Sequence, residues 1–131
     1  MEKVLDTSAL WAYLTKEPGY EKVRDLFIRS AGGKDLLMTT VHWGEMYYLL
    51  MRDHGERETE AICTMIDSFP LEIVPVDRDL SRQAALYKIN KKLPFVDSFA
   101  AALAKLRKAE LVTADKDFKV VEGEVKIVWI A

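Results

Sequence analysis

The chain has 131 residues and a mass of 15.0 kDa, the size of one domain, so 1–131 is expected to fold as a single unit. Half of it is hydrophobic and 31% is charged, a balance that excludes wholesale disorder and is ample for one core. Nineteen basic against 21 acidic side chains leave a net charge of −2, so no overall positive field draws nucleic acid and any such contact must be local.

In chain order, the short run Lys3 to Leu5 reads as a strand that stops at Asp6-Thr7-Ser8, side chains that cap helices. Leu10, Trp11, Tyr13 and Leu14 then mark a first helix, and Pro18-Gly19 breaks it. Val23, Leu26 and Phe27 recur at helical spacing until Gly32-Gly33, giving a second helix. Leu36 to Thr40 reads as strand two. A strongly apolar helix follows from about Val41 to Met51 and ends near Gly55, and the next carries Ile62, Met65, Ile66 and Phe69. Leu71 to Val76 is rich in β-branched residues, with Pro75 tolerable only near a strand end or a sheet edge, so this strand is expected to be peripheral. Arg78 to Lys92 is helical, Pro94 interrupts, and Val96, Phe99, Ala100, Leu103 and Leu106 restore the helical period. Leu111 to Thr113 and Val125 to Ile130 supply the last two strands. Strands alternating with helices predict an α/β fold, a parallel five-stranded sheet with helices on both faces.

In such sheets the ligand site lies beyond the carboxyl ends of the strands, where strand order reverses. Asp6 follows strand one and Asp115 follows the strand ending at Thr113, so both face that edge. Glu45 and Asp97 lie in the early turns of helices that start there. Asp117, two residues on, is a possible fifth member. Taken singly, Asp6 and Asp97 are natural helix caps, Asp115 can fill a turn, and Glu45 suits a helix start. Taken together, four acids from separate segments aimed at one place are hard to produce by capping alone. Their repulsion is relieved by a divalent cation, and all-oxygen ligands without histidine or cysteine point to magnesium or manganese. One or two such ions lower the pKa of a water and clamp a phosphate during hydrolysis. Thr7, Ser8 and Thr113 add hydroxyls that either support the carboxylates or, for Thr7 and Ser8, cap the first helix.

The segments Leu5-Asp6-Thr7-Ser8-Ala9-Leu10 and Trp43-Gly44-Glu45-Met46 resemble the first two acidic motifs of the PIN-domain ribonucleases. Phe95-Val96-Asp97-Ser98-Phe99-Ala100-Ala101-Ala102-Leu103-Ala104 looks like the third motif, and Leu111-Val112-Thr113-Ala114-Asp115-Lys116-Asp117-Phe118 like the fourth. The toxin branch of the family, VapC-like, is the closest likeness. The resemblance implies a three-layer α/β/α sandwich and a magnesium- or manganese-dependent endoribonuclease acting on RNA, many members being toxins blocked by a protein antitoxin encoded alongside. It further implies Asp6, Glu45, Asp97 and Asp115 as metal ligands, Thr113 as a supporting hydroxyl, and Asp117 at a position that varies.

Other residues bear on substrate and assembly. Seven basic residues and one acid lie between Arg82 and Lys108, and Lys91 and Lys92, just before Pro94, suit RNA phosphates near the metals or merely solvate a helix end. His42 stands three residues before Glu45 but lacks a third soft ligand and is expected to be structural. Trp11, Trp43 and Trp129 can stack on bases, although core packing is the commoner use. Met46 to Met51 is apolar around the whole helix, which predicts a homodimer. Cys63 alone forms no internal disulfide, and no basic leader or membrane-length run is evident, so a reducing, cytoplasmic location without membrane contact is expected. Two readings compete with the nuclease: a phosphatase or phospho-acceptor domain, which wants a second acid where Thr7 and Ser8 stand, and a non-catalytic metal-binding scaffold.

Overall fold

Lys3–Leu5 forms β1 of the computed structural model, which describes residues 1–131, and Asp6 ends it by capping the next helix. The chain continues through α1 (Thr7–Thr15), α2 (Tyr20–Arg29), β2 (Leu36–Thr39) and α3 (Thr40–Asp67). Next come β3 (Glu72–Val74), α4 (Arg78–Lys91), α5 (Phe95–Arg107), β4 (Glu110–Thr113), a 3-10 segment over Lys116–Val121, and β5 (Ile127–Trp129). All strand pairs are parallel, in the order β3-β2-β1-β4-β5. The expected five-stranded sheet is present, with β3 at its edge.

Period-two alternation sorts the strand side chains between two cores. Val4, Leu37 and Leu111 point to the face covered by α4, α5 and the 3-10 segment, where Leu80, Ala84, Leu103 and Phe118 are buried. Leu5, Leu36, Met38 and Val112 point to the other face, against Leu10 of α1, Leu26 and Phe27 of α2, and Met46 and Leu50 of α3. Both faces are therefore apolar and covered, which makes three layers. No helix is long and apolar enough to cross a membrane.

The differences from the sequence reading have local causes. Strand β3 is shorter than Leu71 to Val76 because Pro75 has no N–H to extend the ladder. Strand β5 omits Val125, whose N–H bonds to Val121 to close the turn after the 3-10 segment. That segment was not anticipated, since six residues are too few to display a helical period. As expected, a helix ends at Gly55, whose backbone (φ 78°, ψ 179°) is non-helical and open essentially to glycine, so α3 is two helical halves joined at that kink. Tyr47 donates to Glu60 across the bend.

Two packing features position the site. Ala100, Ala101, Ala102 and Ala104 of α5 are buried, so this helix lies close to the sheet and its first turn comes near the end of β1. Gly19, at φ 95° between α1 and α2, lets β5 approach: a Cβ there would stand 2.3 Å from the Ile130 carbonyl oxygen.

Candidate active site

The chain adds β2 and β3 on one side of β1, then returns to add β4 and β5 on the other, so strand order reverses between β1 and β4. Leu5 pairs with Val112, which sets Asp6 beside Thr113 at the carboxyl ends of both strands. Beyond this edge lies a cavity of about 230 Å³ lined by Asp6, Thr7, Ser8, Trp11, Glu17, Glu45, Leu49, Asp97 and Asp115. The four acids expected to converge do so.

Asp6 is 2% exposed and fixed on both oxygens. Oδ1 accepts from the Ser8 hydroxyl at 2.8 Å and from the Ala9 N–H at 3.0 Å, the latter being the cap of α1. Oδ2 accepts from the Thr113 hydroxyl at 2.6 Å. Each hydroxyl spends its proton on Asp6 and is left to accept, Thr113 from the Asp115 N–H at 2.9 Å and Ser8 from the Ala114 N–H at 3.0 Å. One network thus ties β1, α1 and the segment after β4 into a fixed geometry. Burial pushes the Asp6 carboxyl up to about 6 despite the hydrogen bonds from Thr113, Ser8 and Ala9, which favour its charged form. The Thr7 hydroxyl instead points at the start of α3 and donates to the His42 carbonyl at 3.4 Å, supporting no carboxylate.

Capping accounts for Asp6 and for Asp115, which accepts from the Asp117 N–H at 2.9 Å, but not for the other two acids. Asp97 sits in the first turn of α5 behind Pro94 and makes no capping bond. Glu45 lies in the second turn of α3, which Thr39 already caps through the His42 N–H at 3.1 Å. Burial, then the charges of Asp115 and Asp6, push Asp97 up to about 8. Oxygens of Asp97, Asp115 and Asp117 lie within 4.8 Å of one another. None of the chain's ion pairs involves these five acids. Hard oxygens, crowded and uncompensated by any side-chain cation, fit a divalent ion of the magnesium type.

A family model described as PIN domain matches residues 3–124. The chain belongs to the PIN domain family. Its fold is shared by a toxin-antitoxin complex from Klebsiella pneumoniae, at TM-score 0.74 and 18% identity over 99% of this chain and 98% of that one. VapC20 of Mycobacterium tuberculosis, described as a sarcin-ricin loop cleaving toxin, matches at TM-score 0.70 and 20% identity over 95% and 96% of the two chains. The DNA-bound VapBC of Salmonella typhimurium matches at TM-score 0.75 and 16% identity over 100% and 99%. No curated protein sequence matches this PIN domain significantly.

The remaining candidates separate clearly in this PIN domain. Lys91, Lys92, Leu93, Pro94, Lys116, Asp117 and Val120 line a groove of about 500 Å³ that meets the acids at Asp117. Lys91 is drawn to Glu124 at 3.3 Å, whereas Lys92, the left-handed cap of α4 at φ 58°, has no ion-pair partner. His42 is buried, with Nδ1 2.6 Å from the Thr39 hydroxyl oxygen, and burial lowers its pKa to about 4. It is not among the residues that line the cavity, and burial favours its neutral form, as suits a structural residue. Glu17 and Leu49 also border the cavity, and sequence reasoning missed both. Glu17 follows the end of α1 with no motif around it, and Leu49 is hidden in a run that is apolar throughout.

Proposed function

We propose that this PIN domain is a divalent-metal-dependent endoribonuclease that hydrolyses RNA phosphodiester bonds, and that it is the toxin of a toxin and antitoxin pair. The observation that carries the reading is the set of four acids, from four separate segments, lining one cavity without a side-chain cation. Asp6, Glu45, Asp97 and Asp115 are the ligands in this reading, with Asp117 joining Asp97 and Asp115. A magnesium or manganese ion held by these carboxylates would supply positive charge for activating a water and for stabilising an in-line displacement at phosphorus.

The chain's own residues do the rest. Ser8 and Thr113 lock the Asp6 carboxylate in one orientation, so the ligand oxygens need little rearrangement. Burial and the neighbouring Asp115 and Asp6 charges favour the protonated Asp97 carboxyl in the metal-free protein, and a bound cation would favour its ionised form. Lys92, with Lys91 and Lys116 alongside, holds RNA phosphates in the groove that meets the acids. The assignment as a toxin is supported by the fold shared with VapC20 and with toxin-antitoxin complexes. A protein antitoxin would set an Arg or Lys among the acids in place of the metal charge. Tyr48, 61% exposed, and Met51, 37% exposed, on α3 support the homodimer, and light scattering at micromolar concentration tests it.

The deciding experiment incubates purified protein with total cellular RNA and magnesium, manganese or chelator, and maps the cut ends. Discrete cuts that need the metal are expected. Equal cutting in chelator contradicts the metal reading, and metal binding without cutting leaves a scaffold.

A further inference from the structure

The cavity that holds the acids extends beyond them along α1. Thr7 and Ser8 stand at its acidic end, Trp11 one helical turn further, about 5.4 Å along the axis, and Glu17 past the end of the helix. Leu49 adds a second apolar wall. The three tryptophans are disposed differently. Trp43 stacks on Tyr47 with ring centroids 5.3 Å apart. Trp129 lies under the Lys116 ammonium at 4.3 Å and donates its indole N–H to Glu122 at 3.3 Å. Trp11, half-buried against the core, is the tryptophan that borders the cavity. It takes no part in the Tyr13, Phe27 and Phe69 ring cluster packed beneath α1.

Charge sorts the two flanks of the acid cluster. On one side Lys92, which has no ion-pair partner, and Lys116 offer positive charge to phosphates, while Lys91 is held by Glu124. On the other, the apolar side chains of Trp11 and Leu49 line the cavity, and Glu17 repels phosphate. A strand whose phosphate sits at the acids therefore has its backbone favoured toward the lysines and a base favoured toward Trp11. Base-aromatic stacking suits this, because every base has a face to offer and the ring is already held in place.

Resting on the ribonuclease reading, we infer that the Trp11 side of the cavity is a nucleobase subsite, in which the base of a nucleotide flanking the cut stacks on the Trp11 indole. The subsite sets where a single-stranded RNA is cut and how tightly it is held, and it is separate from the residues that hold metal.

The test measures kcat and KM for wild type, Trp11→Ala and Trp11→Phe on a single-stranded RNA oligonucleotide with a mapped cut, and on versions with an abasic residue at either flanking nucleotide. Trp11→Ala should raise KM roughly 5- to 150-fold with a far smaller change in kcat, and Trp11→Phe should recover most of the loss. One of the abasic substrates should cost wild type a similar factor and cost Trp11→Ala little, since the two changes remove the same contact. Manganese affinity should be equal in all three proteins. If Trp11→Ala does not fold, Trp11→Leu, which keeps apolar volume but has no aromatic face, takes its place in the same comparison. An unchanged KM in the non-aromatic variant, or an abasic penalty in it as large as in wild type, overturns the subsite. Wild-type RNA kinetics combined with weakened capture of an antitoxin would assign the surface to a protein contact and also overturn it. No metal-dependent cleavage by wild type would remove the ribonuclease reading and the subsite together, which separates that failure from the failure of the subsite alone.

Discussion

At the amino-terminal edge of the sheet, Glu110 stands 3.5 Å from Lys3 and 3.0 Å from Lys126, and Arg107 grips Glu2 through two bonds of 3.0 and 2.6 Å. In the turn entering β5, Glu124 lies 3.3 Å from both Lys91 and Lys105. At the carboxyl-terminal edge, Asp6, Glu45, Asp97 and Asp115 share a cavity and pair with no cation of the chain. The titration of these groups diverges accordingly. The hydrogen bond from Lys126 holds Glu110 below its ordinary value; burial would raise Glu124, but its bonds to Lys105 and Lys91 outweigh that and lower it. Burial raises Asp6 to about 6, and burial with neighbouring acids raises Asp97 to about 8. The same residue types thus serve as closed structural pairs at one edge and as an open demand for positive charge at the other. An acid whose partner is already in the chain has no need of a ligand; an acid cluster without one is where function should be sought.

The largest effect should come from breaking the open edge. Asp97→Asn and Asp115→Asn should each lower RNA cleavage by about a hundredfold or more, with circular dichroism and melting showing an intact fold. Metal addition should sharpen the contrast further. Magnesium at about a hundred times its Kd should stabilise wild type by about 2.7 kcal/mol in thermal unfolding, and Asp115→Asn should show little of this.

A smaller effect concerns pH in the metal-free protein. Asp6 and Asp97 bind protons more tightly when folded, so their contribution to stability is full below the unfolded value of 3.8 and is lost as pH rises through about 6 and about 8. Denaturation in chelator should therefore show stability contributed by these groups falling from about pH 4 to pH 8, the reverse of the usual gain for paired carboxylates. Asp6→Asn should melt at or above wild type in chelator at neutral pH. Asparagine also caps helices, and its NH₂ can donate to Thr113, whose own proton can turn to Ser8 at 3.2 Å. Asp6→Ala leaves these buried donors without an acceptor and should cost roughly 1–2 kcal/mol. The least effect belongs to the closed edge: Glu110→Gln should cost at most about 1 kcal/mol, because Lys126 is largely exposed, and should leave cleavage unchanged.

The sheet and its acid edge were legible in the sequence because its three central strands, β1, β2 and β4, are short apolar runs that end at a residue with a polar task, Asp6, Thr39 and Thr113. Asp6 and Asp115 stand directly after such runs, and parallel pairing brings the strand ends together. Asp97 and Glu45 follow from helix starts facing the same edge. What escaped depends on contacts distant in sequence. Lys91 and Lys92 are neighbours in the chain, yet Glu124 claims one and leaves the other free. Three tryptophans with similar apolar surroundings end up stacked on Tyr47, covered by Lys116, and open to the cavity. Thr7 reads as a site hydroxyl from its place beside Asp6, but helix geometry turns it toward the His42 carbonyl.

Manganese titration at pH 8 by electron paramagnetic resonance, for wild type, Asp115→Asn and Glu110→Gln side by side, tests the difference between the two edges most directly. Saturable binding by wild type and Glu110→Gln, with Asp115→Asn binding at least tenfold more weakly, is the result predicted. Binding by Asp115→Asn as tight as wild type, or its loss in Glu110→Gln, would contradict the assignment of the open carboxylate edge as the metal site.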